Sequence, residues 1–294
     1  MKPLNGIQLL SLANNIPGPA AVAQLRDLGA KVVKIEPPAG DLLAIAAPAW
    51  YGALHLGIEV ERLNLKSAEG RADLEPHLAT SHLLVTSSRP ASLARMGLDW
   101  PTLAGRYPNL CQVAIVGYPG AEAARPGHDL TYQAELGLLD PPGLPRTVLA
   151  DLAGAERAVS AALGLLLAMA RSGGRDTAGD VMEAADRYVE VALSGATAAF
   201  AEPLSHGLTA PGGFLGGQLP GYNLYRAQDG WIAVAALEAH FLRRLAAELG
   251  LIEVTIEALA DVFGERPAEF WQTWAAERDL PIVALAEGIT INNQ

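Results

Sequence analysis

Short apolar runs alternate with helix-like stretches through the first 116 residues, and this alternation limits the fold more than any other feature of the chain. Residues 7–12 read as a buried strand, Pro19 to Leu28 as a helix with proline near its first turn and Gly29 as its stop, and Lys31 to Glu36 as a second strand. That is a βαβ unit. The pattern continues with a helix from about Ala68 to Ala79, a strand at Leu83 to Thr86, helical turns between Ser92 and Arg106, and a strand from Leu110 to Val116. Strands separated by helices pair in parallel, and a parallel sheet needs helices over both faces. The expected class is therefore α/β, with a parallel Rossmann-like sheet in a large domain.

From Leu152 the pattern is mostly helical to about Phe200, with a break at Ser172-Gly173-Gly174. Composition then shifts: residues 203–221 hold two Gly-Gly pairs and three prolines, as a linker or a functional loop does. Tyr222 to Tyr225 and Trp231 to Ala235 read as strands joined through Ala227-Gln228-Asp229-Gly230, where Asp-Gly is a hairpin signal. Helices at about Ala239–Leu249 and Pro267–Glu277 complete a smaller α+β module. The expected divisions are 1–202, 203–221 and 222–294.

A net charge of −11 argues against nucleic acid, which is bound by neutralising phosphates with lysine and arginine. The one cysteine, Cys111, excludes a disulfide framework and reads as inert core, and with a polar Met1–Gly6 in place of a leader the expected location is cytoplasmic. The longest apolar run, residues 158–170, is shorter than a bilayer span and reads as a buried helix, so no membrane partner is expected. The first strand–helix connection, Ala13-Asn14-Asn15-Ile16-Pro17-Gly18, lacks the G-x-G-x-x-G spacing that brings a backbone close to a pyrophosphate. A nicotinamide dinucleotide is thereby disfavoured, and Glu36, which would hold its ribose, reads as a solvated strand end. The histidines have no ligand-spaced partners, so no metal site and no prosthetic group are expected.

Chemistry concentrates in Arg125-Pro126-Gly127-His128-Asp129-Leu130-Thr131-Tyr132 and Val148-Leu149-Ala150-Asp151-Leu152-Ala153-Gly154. Both His128 and Asp151 fall at element ends, where active-site groups concentrate. By pattern alone Asp151 reads first as an N-cap and His128 as a turn histidine. A helix start at Asp151 would also aim backbone N–H groups at a carbonyl oxygen placed there. Asp129 either orients His128 or caps the following helix. An anionic ligand would need a local basic cluster, for which Lys31, Lys34, Arg62, Lys66, Arg89, Arg125 and Arg146 are available.

These motifs, with Leu4-Asn5-Gly6-Ile7, Pro17-Gly18-Pro19, Val33-Lys34-Ile35-Glu36-Pro37-Pro38-Ala39-Gly40-Asp41, Leu65-Lys66-Ser67, Arg89-Pro90, Met96-Gly97-Leu98, Tyr222-Asn223-Leu224-Tyr225 and Leu237-Glu238, resemble a class III CoA-transferase in order and over almost the whole chain. The family is of the L-carnitine dehydratase and bile-acid-inducible protein F type, and the Gly-His-Asp motif resembles its α-methylacyl-CoA racemase branch. The resemblance implies an intertwined homodimer acting on acyl-CoA or CoA, the thioester being substrate and not a resident cofactor. It implies His128 and Asp151 as an acid–base pair at the α-carbon, Glu238 as the group orienting His128, and Arg89, Lys34, Arg62 and Tyr132 as CoA-binding residues. In the transferase branch the residue matching Asp151 becomes an aspartyl-CoA thioester, and Gly212–Gln218 partly resembles that branch's glycine-rich flap. The segment Leu54–Arg62 departs from the family, which carries an asparagine, basic residues and a lysine there, and Ala91 stands where the family has glycine after Arg-Pro. A non-catalytic binding homologue is the third reading those departures leave open.

Overall fold

The computed structural model describes residues 1–173 and 182–286, which form two compact units, Met1–Ala201 and Glu202 onward. In the first, strands and helices follow in the order β1 (Gln8–Leu12), α1 (Pro17–Asp27), β2 (Lys31–Glu36), α2 (Leu42–Ala46), α3 (Pro48–Leu54), β3 (Glu59–Arg62), α4 (Ala68–Thr80), β4 (Leu83–Thr86), α5 (Pro90–Met96), α6 (Trp100–Arg106) and β5 (Cys111–Val116). Then come α7 (Asp129–Glu135), α8 (Leu149–Gly173), β6 (Tyr188–Ala192) and α9 (Leu193–Ser205), the last carrying the chain into the second unit. The six strands are all parallel, in the order β3-β2-β1-β4-β5-β6. This is the Rossmann-like arrangement expected.

Alternation along each strand divides the core between the two faces of the sheet. Leu9, Leu83, Val85, Val113 and Ile115 join Val22 and Leu25 of α1 and Ala158, Ala162 and Leu165 of α8. Leu10, Leu12, Ile35 and Leu84 join Leu74 and Leu78 of α4, Leu93 of α5 and Leu103 of α6 on the other face. Helix α8 is long and apolar enough to cross a membrane by length and composition, but here one of its faces packs into the core against α1, β5 and β6. Cys111 is buried in β5, where burial pushes its thiol pKa up.

Helix α1 opens with Pro17 at its first position and Pro19 two residues on. Proline has no N–H, and the Ala20 N–H is already bonded to the Ile16 carbonyl, so little of the usual ring of donors at a helix start is present. A Cβ on Gly18 would overlap Ala13, which explains glycine between the two prolines. The helix ends at Asp27 with Leu28 as its C-cap, and Gly29 follows at φ 109° as the stop its sequence implied.

Two features differ from the sequence expectation. The span taken as helix from Leu152 to Phe200 contains β6, because Tyr188-Val189-Glu190-Val191 alternates along the open edge of β5 and pairs with it in register from Gln112↔Tyr188. The expected break at 172–174 falls where α8 reaches Gly173, and Gly174 lies outside the described residues. Glu36 is not solvated: it is buried and ion-paired to Lys34 at 3.0 Å.

The second unit contains β7 (Tyr222–Arg226), β8 (Trp231–Ala235), α10 (Ala239–Leu249), α11 (Ile256–Gly264), α12 (Ala268–Ala276) and β9 (Ile282–Ala284), with an antiparallel sheet in the order β7-β8-β9. Tyr225, Ile232, Val234 and Ile282 pack with Leu245, Leu259, Phe263 and Trp271 of the three helices. The hairpin closes at Arg226↔Trp231 through the four residues 227–230 that the sequence indicated, and within that loop Asp229 accepts the Ala268 N–H at 2.8 Å and so caps α12. Before the sheet, Gly213 and Gly216 lie so close to the carbonyls of Gly207 and Ala210 that a Cβ on either would overlap them. The Gly-Gly pairs thus serve a tightly wound turn held by its own hydrogen bonds, such as Leu215 N–H to the Leu208 carbonyl at 2.8 Å.

Leu25 is fully buried where α1 meets α8. Leu25→Ala is expected to lower the unfolding free energy by about 2–5 kcal/mol, read from urea titration.

Candidate active site

Strand order reverses direction between β1 and β4, so the loops leaving these neighbours diverge and a crevice opens at the carboxyl edge of the sheet. The Asn14 N–H donates to Ser87 Oγ at 3.0 Å and ties the two loops across it. A cleft of about 230 Å³ lies there, lined by Asn14, Asn15, Ser87, Arg89, Ile115, Val116, Gly117, His128, Tyr132 and Asp151 among others. A second cleft of about 810 Å³ shares Asn14. Its floor is apolar, from Leu12, Ile35, Leu63, Leu65, Leu93 and Met96, and Lys66, Arg71 and Arg95 line it with positive charge.

The sequence-predicted pair is brought together: His128 and Asp151 both line the smaller cleft. His128 is the residue before α7, and its backbone is fixed by an N–H to Thr131 Oγ1 bond at 3.0 Å and by the Thr131 N–H on its carbonyl at 2.8 Å. Its side chain stands exposed at the cleft.

Asp129 explains how Asp151 becomes available. Its Oδ1 accepts the N–H groups of Ala150 at 2.7 Å and Asp151 at 3.3 Å, while Oδ2 accepts from Gln133 Nε2 at 2.7 Å. Asp129 therefore caps the start of α8 from a distant position in the chain and joins the beginnings of α7 and α8. Asp151 is the third residue of α8 and not its N-cap, so its carboxylate is not engaged in capping. The oxyanion site expected from backbone N–H groups at Asp151 is corrected for the same reason: the Ala150 and Asp151 donors are occupied by Asp129, and the Leu152 N–H is bonded to the Val148 carbonyl. Burial first, and then the Asp129 charge, raise the Asp151 pKa from 3.8 to about 6.

Tyr132 is buried beside this pair, in edge-to-face contact with Tyr118 at 5.2 Å. Gly117 and Gly127 flank its phenol so closely that a Cβ on either would overlap the ring or hydroxyl. Burial, followed by the neighbouring Tyr118 and Asp151, pushes its pKa up to about 12, so the hydroxyl stays protonated and able to donate. Arg125 also lines the cleft, but it pairs with Glu135 and lies 4.1 Å from the Tyr118 ring centre.

The remaining predicted residues divide. Arg89 lines the cleft from the N-cap of α5, is exposed, and makes no ion pair among the described residues. Arg62 is exposed at the end of β3 against the Gly40 turn and lines neither cleft. Lys34 is corrected as a ligand contact: its ammonium is buried and bonded to Asp41 Oδ2 at 2.6 Å, His55 Nε2 at 2.9 Å and Glu36 Oε1 at 3.0 Å. Glu238 belongs to the second unit, at the N-cap of α10, and its role rests on the family resemblance alone. Sequence reasoning passed over Asn14, Ser87, Arg71 and Arg95. Asn14 had a signal, its place directly after the first strand, whereas Arg95 stood just outside the Met-Gly-Leu motif.

The sequence matches CoA-transferase family III over residues 4–277. Among curated relatives, a cinnamoyl-CoA:phenyllactate CoA-transferase of Clostridium sporogenes is 37% identical over 140 residues, which span 43% of this chain and 34% of the relative. A CaiB/baiF CoA-transferase family protein of Caenorhabditis elegans is 29% identical over 82% of this chain and 71% of its own length. A succinate–glutarate CoA-transferase of Agrobacterium fabrum is 30% identical over 58% of this chain and 48% of its own. Among solved structures, Rv3272 of Mycobacterium tuberculosis superposes with a TM-score of 0.79 at 24% identity, covering 98% of this chain and 86% of that one, which establishes likeness of fold. Matched over nearly its whole length and carrying the family's fold, the chain belongs to CoA-transferase family III.

Proposed function

We propose that the protein processes acyl-CoA thioesters by proton transfer at the α-carbon, as a 2-methylacyl-CoA racemase does. The observation that carries this reading is a histidine and a carboxylate of raised pKa lining one cleft beside a protonated tyrosine. A carboxyl group titrating at about 6 takes up and releases a proton near neutral pH, which general acid–base exchange requires. His128 removes the α-proton while protonated Asp151 delivers one to the opposite face, and the reverse reaction exchanges their roles. Tyr132 supplies a hydroxyl donor for the enolate oxygen. The larger cleft, with its apolar floor and its three cationic side chains, suits the nucleotide end of CoA, and the shared Asn14 makes the two clefts neighbours.

A second reading is favoured by the relatives, which are named as CoA-transferases. There the Asp151 carboxylate attacks the thioester carbonyl and expels the CoA thiolate, giving a mixed anhydride. The thiolate then attacks the aspartyl carbonyl, the first carboxylic acid leaves, and an aspartyl-CoA thioester remains for a second acid to repeat the sequence in reverse.

Deuterium uptake at the α-carbon of a 2-methylacyl-CoA in heavy water, followed by mass spectrometry, separates the two. Proton transfer predicts uptake that falls at least about 100-fold in both Asp151→Asn and His128→Ala. Full uptake in Asp151→Asn sinks the assignment, while no uptake together with a covalent CoA adduct on Asp151 selects transfer. Asp151 also has a stability signature. Its folded pKa is raised, so it favours folding below about pH 3.8 and loses that contribution as pH rises through about 6. Asp151→Asn is therefore expected to melt above the wild type at pH values over 6, with the difference closing as pH falls towards 3.8, measured by calorimetry.

A further inference from the structure

The densest set of charges outside the clefts lies at the end of β2, and it is buried. Lys34, Glu36, Asp41 and His55 are all withdrawn from solvent. The Lys34 ammonium has three N–H groups and meets three acceptors: Asp41 Oδ2 at 2.6 Å, His55 Nε2 at 2.9 Å and Glu36 Oε1 at 3.0 Å. His55 Nδ1 lies 2.7 Å from the Tyr51 carbonyl, which can only accept, so that nitrogen carries the hydrogen and Nε2 is the free acceptor facing Lys34. Burial holds the His55 pKa below its ordinary value, in keeping with a neutral ring. The Tyr51 hydroxyl donates to Glu36 Oε1 at 2.7 Å and its ring stacks on His55 at 3.9 Å. The hydrogen bonds of these side chains stay within the cluster, except those of one oxygen.

The exception is the second oxygen of Asp41. Oδ1 accepts the N–H of Leu43 at 3.0 Å and the N–H of Asn15 at 3.1 Å. Asn15 lines the acid–base cleft and its backbone sits at φ 68°, a left-handed conformation that asparagine tolerates better than other non-glycine residues and that the bond to Asp41 secures here. We infer that Asp41 is a positioning residue for this cleft: its carboxylate, anchored by the buried Lys34 ammonium, fixes the Asn14–Asn15 turn that forms part of the cleft wall. The neighbouring turn of the larger cleft does not need it, because Gly40 N–H bonds the Pro37 carbonyl at 2.8 Å and closes that turn by itself. Asp41 therefore acts mainly on the step carried out in the smaller cleft, which both Asn14 and Asn15 line, whereas the larger cleft meets this turn through Asn14 alone.

Asp41→Asn keeps the shape of the side chain but has one oxygen, so its amide N–H₂ must face either Lys34 or the two backbone donors. Asp41→Ala removes both links. The kinetic arm rests on the reading proposed above: in full-length protein, kcat for deuterium exchange into 2-methylacyl-CoA should fall about 10- to 100-fold in both variants, with CoA affinity by calorimetry near that of the wild type. Hydrogen–deuterium exchange of the unliganded proteins is independent of that reading. It should show faster exchange in the segment Ala13–Ile16 and unchanged protection of β1 and β4. Should Asp41→Ala fail to fold, Asp41→Asn carries both measurements. Unchanged exchange at Ala13–Ile16 overturns the inference, as does a joint loss of kcat, CoA affinity and strand protection, which marks a merely structural residue. If the wild type turns over no substrate, the proposed function fails, and the exchange pattern alone decides the role of Asp41.

Discussion

Every strand of the large sheet runs the same way, so every loop that follows a strand emerges on the same edge. This one constraint gathers residues from positions 14, 87 and 117, which closely follow strands, beside Asp151 at the start of α8. The reversal of strand order beside β1 keeps that edge open by sending the α1 and α5 loops to opposite sides. The apolar residues of the sheet and its helices supply the stability, and the crevice is what their packing leaves unfilled.

Within the crevice, one carboxylate determines what another can do. Asp129 satisfies the donors at the start of α8, which leaves Asp151 in the first turn without a capping duty, and its charge adds to burial in lifting the Asp151 pKa. A helix start ordinarily favours the ionised form of an acid in its first turn. Here the nearest donors are already occupied by a competing anion, so the local field no longer does so. The Lys34 cluster follows the opposite logic: charges are buried where each has a partner, and the arrangement fixes geometry without presenting charge to a ligand.

The parallel sheet was legible because apolar runs such as Leu83–Thr86 and Leu110–Val116 have no alternative in a chain of this composition. His128 and Asp151 drew notice as a histidine after a Pro-Gly pair and a lone acid in the apolar run Val148–Gly154, and both line one cleft. What the sequence concealed was relational. Val33-Lys34-Ile35-Glu36 reads as a strand with alternate charged positions facing water, and only the packing of α3 against it turns those charges inward onto His55 and Tyr51. The bond from Asp129 to the start of α8 joins residues 21 apart, and no local pattern announces it. Strand β6 was hidden because it is a five-residue edge strand between two helices, with Glu190 in its middle and little apolar sequence of its own to mark it.

The two prolines that open α1 have a consequence for recognition at large. In dinucleotide-binding folds of this topology, main-chain amides at the first helix grip phosphate, and such a grip is rigid and specific in its geometry. With proline in two of those positions, this chain has the crevice without the main-chain grip of that kind. The positive charge lining the larger cleft stands instead at the ends of long side chains, Lys66, Arg71 and Arg95. Long arms adjust to a ligand where amides cannot, so the same architecture can change its clientele by exchanging surface residues, with no rebuilding of the backbone beneath them.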